Sequence, residues 1–182
     1  MKITIRVFAS ITLLAAVSGY CGVTSSGPSG FEIRNETVIA AAPDEIYTAL
    51  TRRVGSWWDA DHTYSGDARN MRIDARPGGC FCEKIPGKGA IEHMRVIYVS
   101  KDEVLRLSGG LGPLQESGVA GTLTWSLKSA EQGTIIVQEY KVGGYLTGGF
   151  SEMAPLVGQV LEVQMQRLKR FVETGSPEEI TQ

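Results

Sequence analysis

"GTLTWSLKSAEQGTIIVQEYKVGG" (residues 121–144) decides the fold class. Leu123, Trp125 and Leu127 alternate with Thr122, Thr124 and Ser126, a period of two that puts three large apolar side chains on one face and three hydroxyls on the other. Gln132-Gly133 is turn chemistry, and "TIIVQEYKV" resumes strand character after it. The stretch therefore reads as an antiparallel hairpin with one buried face, and Trp125 as a core or cavity residue. Upstream, "MRIDARPGG", "CFCEKIPGKG", "IEHMRVIYVSKDE" and "VLRLSGG" are strand-like runs broken at Pro77-Gly78-Gly79 and Pro86-Gly87, which extends the hairpin into a meander. Further upstream, "FEIRNETVIAA" has the same character.

A sheet with one apolar face needs a partner. Residues 151–175 supply it. Ser151 is placed to cap a helix, Pro155 falls in its first turn, Val157, Leu161, Met165, Leu168 and Val172 form a stripe at helical spacing, and Gly175 and Pro177 end it. A shorter helix begins in "APDEIYTAL", with Pro43 at its start, Asp44 and Glu45 at the positive end of its dipole, and Ile46, Leu50, Val54 and Trp57 along one face. The expected architecture is α+β: a curved antiparallel β-sheet wrapped around a long C-terminal helix.

With 182 residues, 42% of them apolar and 21% charged, the chain has material for one domain with a real core. A net charge of -2 and a pI near 5.7, without a Lys/Arg cluster, exclude a nucleic-acid partner, which needs a basic face to displace phosphate counterions. Residues 1–19 read as a signal peptide: Lys2 and Arg6 precede a mainly apolar run, and small residues follow. That run is too short to span a membrane, so no transmembrane span is expected in the mature chain. The expected location is periplasmic or secreted. Cys21 raises a lipoprotein reading, but Tyr20 stands where such signals want a small residue. Residues 20–30 read as a flexible Ser/Gly/Pro tether, 31–174 as the domain, and 175–182 as a tail.

The element order, with "APDEIYTAL", "WW...HTYSG", "GGCFCE", "EHMRV", "GGLGPLQ" and "GTLTW", resembles the SRPBCC superfamily over residues 31–174. These are START-like, helix-grip proteins related to polyketide cyclases and the birch-pollen allergen. The resemblance implies six or seven strands gripping the C-terminal helix, with a cavity between them that in relatives holds lipids, sterols, polyketides or other apolar molecules. Members include carriers, cyclases and regulators, so the fold alone does not choose a function.

On this chain the expected partner is a small, largely apolar molecule, with no cofactor. In "VGSWWDADHTYSG" (residues 54–66), one tryptophan is expected to seal the core while the other is half exposed; in the sharper alternative Trp58, His62 and Tyr64 line a ligand entrance. Asp59, Asp61 and His62 lack the spacing of a recognised metal motif, and no metal is expected. Leu111, Leu114, Trp125, Tyr140, Val157 and Leu161 complete the expected binding wall. The loop of residues 108–118 exposes Leu111 and Leu114 as a lid or is a plain connection. Glu83 and His93 are the acid/base candidates. In "IEHMRVIYV" one face carries Ile91, His93 and Arg95, the other Glu92, Met94 and Val96, and either could point inward. Cys80 and Cys82 share a face at an expected separation of about 6.5 to 7 Å, so they read as packed thiols; a bridge would require a bulge.

Overall fold

The computed structural model describes residues 21–179; the expected leader lies outside them, as does the last stretch of the tail. The hairpin of residues 121–144 stands at the middle of the sheet, as β7 (Gly118–Ala130) and β8 (Gly133–Tyr145). Trp125 pairs with Gln138, and Ala130 with Gly133 at the turn, where a φ of 125° requires glycine. Leu123, Trp125 and Leu127 are all buried, on the face the alternation assigned to the core.

Around this hairpin run β1 (Cys21–Gly27), β2 (Gly30–Ile39), β3 (Met71–Ile73), β4 (Cys80–Ile85), β5 (Gly89–Ser100) and β6 (Val104–Ser108). They form one antiparallel sheet in the order β1-β2-β8-β7-β6-β5-β4-β3. The described sheet has eight strands, not six or seven. The additional one is β1, built from residues expected to be a tether. An edge strand needs only backbone pairing along one side, so serines and glycines suffice there; Gly22 pairs with Arg34, Ser26 with Phe31, and Val23 packs against the core.

Among the described residues the α-helices are α1 (Pro43–Arg52), α2 (Val54–Trp57) and α3 (Met153–Thr174). Ile46, Leu50, Val54 and Trp57 are buried in one row despite the break at Arg53. α3 lies against β1 and β2 and meets α1 and α2. It ends at Gly175, whose left-handed backbone lets its N–H reach the Phe171 carbonyl. Its start departs from expectation: Glu152, not Ser151, occupies the capping position, and no side chain caps it. No helix among the described residues is long and apolar enough to cross a membrane.

Candidate ligand cavity

A cavity of about 530 Å³ opens between the N-terminal half of α3 and the β3–β5 end of the sheet. Its floor and walls are mostly apolar: Trp58, Met71, Leu111, Val157 and Leu161 face it. The two flanking segments that meet over it are the 3-10 turns Ala60–His62 and Gly112–Glu116, joined where the Tyr64 hydroxyl donates to the Gly112 carbonyl at 3.2 Å. Tyr64 and Leu156, 46% and 59% exposed, form an apolar part of the rim.

The turn after α2 is held down by α3. Buried Gln164 accepts the Asp59 N–H at 2.9 Å and approaches His62 Nδ1 at 3.3 Å. The Trp58 indole N–H donates to the His62 carbonyl at 3.1 Å. Both tryptophans are buried, so neither is the half-exposed residue of the expectation: Trp57 donates to the Ala49 carbonyl, and Trp58 packs on Trp57 and Phe81 with ring centroids 5.6 and 5.2 Å away. Trp58, His62 and Tyr64 nevertheless all face the cavity. Asp59 serves as a turn cap, accepting the Asp61 N–H. Among the described residues no cluster of three or more metal-ligating side chains converges.

One polar feature faces the cavity from the sheet. His93 Nε2 lies 3.0 Å from Glu83 Oε2, with Glu83 wholly buried and His93 5% exposed at the cavity wall. The same carboxylate accepts the backbone N–H groups of Tyr64 at 3.1 Å and Ser65 at 2.5 Å. Burial pushes the Glu83 carboxyl up, but the hydrogen bonds from Ser65, Tyr64 and His93 outweigh it and leave the group below the usual carboxylate range. Burial also pushes His93 down, and although Glu83 pulls it back up, it stays below the ordinary imidazole value. The pair is an ionised carboxylate behind a neutral imidazole.

A bulge aims that imidazole. Phe81 pairs with Met94 and Cys82 with Glu92, so His93 is an extra residue in β5. The alternation breaks there, and His93 and Met94 both become buried, with Val96 following. Neither face of "IEHMRVIYV" is inward throughout. The same irregularity corrects the cysteine expectation: Cys80 and Cys82 are joined by a disulfide, their α-carbons 5.4 Å apart where a straight strand would hold them further.

Leu114, Trp125, Tyr140 and Glu83 are not on the cavity wall. Leu114 is fully buried in the core, not exposed on a lid. Trp125 packs edge-on against Trp57 with centroids 6.3 Å apart. The Tyr140 hydroxyl donates to the Gly109 carbonyl and accepts the Leu111 N–H, and burial pushes its pKa up to about 12 against the Leu111 hydrogen bond. Gly121 makes room for it, since a Cβ there would lie 2.7 Å from the Tyr140 ring. Tyr140 and Glu83 act from behind the wall, fixing the loop and His93. Met71, Met153, Leu156 and Val160 line the cavity without having been singled out in the sequence. The helical spacing that put Val157 and Leu161 in a stripe also put Leu156 and Val160 off it, on the flank that the cavity uses.

These features define the helix-grip class, an antiparallel sheet holding a long C-terminal helix with a cavity at one end. Solved structures agree at the level of fold. CalU16 from Micromonospora echinospora superposes with a TM-score of 0.59 at 18% identity, over 90% of this chain and 88% of that one. DynU16, a protein of the dynemicin biosynthetic locus, gives 0.58 at 19% identity, over 80% and 48%. The Aha1 protein from Colwellia psychrerythraea, solved as a dimer in solution, gives 0.56 at 16% identity, over 79% and 97%. No family model and no curated protein matches the chain. At these identities the likeness carries the helix-grip fold alone.

Proposed function

We propose that this chain binds a small, largely apolar molecule in the cavity between α3 and the sheet. The observation that carries the reading is the 530 Å³ apolar space with one buried polar side chain, His93, at its wall and Glu83 hydrogen-bonded behind it. Mostly apolar walls with few polar anchors are the usual form of a small-molecule site. A ligand hiding roughly 300 Å² of apolar surface would gain about 7 kcal/mol before the costs of association, enough for micromolar affinity without special chemistry. The leader pattern of residues 1–19 adds export to the reading; N-terminal sequencing of protein from the host envelope tests it, an intact Met1 counting against it.

The same pair favours one second reading, a cyclase- or hydratase-type enzyme in which His93 moves a proton on the bound molecule. A protein-binding regulator without a ligand is the third class. Native mass spectrometry of protein purified from its own host separates them. A co-purified apolar molecule, unchanged on incubation, supports the carrier reading; its conversion by wild type but not by His93→Gln supports the enzyme; no co-purified molecule contradicts both.

A further inference from the structure

We propose that the cavity selects an apolar molecule that carries a hydrogen-bond donor and no negative charge, and that His93 Nδ1 receives that donor. This rests on the cavity-binding reading and states which apolar molecules the cavity admits.

The geometry assigns the proton on His93. Among the described residues, the groups turned to the Glu83 carboxylate other than the imidazole are the backbone N–H groups of Tyr64 and Ser65 and the Ser65 hydroxyl, each able to donate, so the ionised carboxylate is committed as an acceptor. Nε2 must then carry the hydrogen that fills the 3.0 Å contact, and Nδ1 is left with its lone pair. Nδ1 has no hydrogen-bond partner among the described residues, while the ring sits on the cavity wall, wedged between Phe81 and Tyr64 at centroid distances of 5.2 and 5.9 Å. The bulge in β5 turns this one histidine inward. The wall thus presents an acceptor whose orientation is fixed before anything binds.

Charge points the same way. Among the described residues no lysine or arginine lines the cavity, whereas Asp61 and Glu116 stand at its rim and the Glu83 carboxylate lies behind His93. A ligand carboxylate would lose its hydration without meeting a cation. A hydroxyl or another neutral donor would instead find an acceptor in an apolar surround, where an unmade hydrogen bond is costly.

Three naphthalenes of similar shape test this by titration calorimetry at about pH 8, where imidazoles are neutral: 2-naphthol donates, 2-methoxynaphthalene cannot, and 2-naphthoate is an anion. The expected ranking in the wild-type protein is 2-naphthol tightest, by about tenfold over the ether, with 2-naphthoate weakest. In His93→Phe, which keeps a ring in place, the preference for the naphthol over the ether should vanish while both still bind. Equal binding of naphthol and ether by wild type, or tightest binding of the naphthoate, overturns the proposal and leaves the cavity reading standing. A preference that persists in His93→Phe also overturns it. Failure of all three probes to bind overturns the proposal and the cavity reading together.

Discussion

At the scale of residues, Glu83 and His93 show how far a sequence reaches. Their types marked them as acid/base candidates, but they lie ten positions apart on two strands, and the bulge that faces them together leaves no mark in the alternation. Their linkage to folding is testable. Both have folded-state pKa values below the ordinary ones, so the unfolded chain holds more protons in the intervening windows and stability is lost as pH falls. The contribution is complete above the ordinary imidazole value of about 6.5 and is lost first through His93, then below about 4.3 through Glu83. Denaturant melts of wild type across this range should show both declines, and His93→Phe should abolish the upper one and, by removing a hydrogen bond that holds the Glu83 carboxyl down, shrink the lower. A wild-type stability that does not change between about pH 8 and 5 would contradict the assignment.

The tryptophans make a second residue-scale pair. Trp125 is core and touches Trp57 rather than the cavity, so Trp125→Ala should cost about 3 to 5 kcal/mol of stability and leave the affinity of the folded protein for 2-naphthol within about twofold. Trp58 is both packed and at the wall, so Trp58→Ala should lose stability and affinity together. Its burial corrects the expectation of an exposed indole: sequence spacing placed it at the end of a helix but could not show that Gln164 of α3 pins the following turn over it.

At the scale of elements, what was legible was what has a period. The β7–β8 hairpin, the stripe of α3 and its glycine stop all follow from alternation, helical spacing and turn chemistry. What was not legible breaks a period or lacks one. β1 has no apolar alternation and exists because β2 offers it an open edge. The bulged β4–β5 pair is the other case, and it brings Cys80 and Cys82 together. Mass spectrometry without reductant should find the peptide spanning these two cysteines lighter by two hydrogens, and free thiols there would contradict the bridge. Because the closed loop is so short, reduction should cost only about 1 to 2 kcal/mol in the chain-entropy account. A much larger loss would mean that the bridge also holds the bulge that aims His93.

At the scale of the whole molecule, a sheet with one apolar face and a helix to cover it were both apparent from the chain, and with them the fold. The cavity was expected only through resemblance, because a void is a property of what does not fill it. Here the sheet continues past the end of α3 contact, and Trp58 and the two 3-10 turns close around the gap without occupying it. The central claim, that the ligand sits in this space and not on a surface, is tested most directly by filling the space. Val157 is half buried on α3 and faces the cavity, so Val157→Trp should place an indole where the ligand would lie. The measurement is the affinity of 2-naphthol for this variant by titration calorimetry, beside its thermal melt. The account predicts at least about a tenfold loss of affinity in a protein that still melts cooperatively. Wild-type affinity in a folded Val157→Trp protein would contradict it.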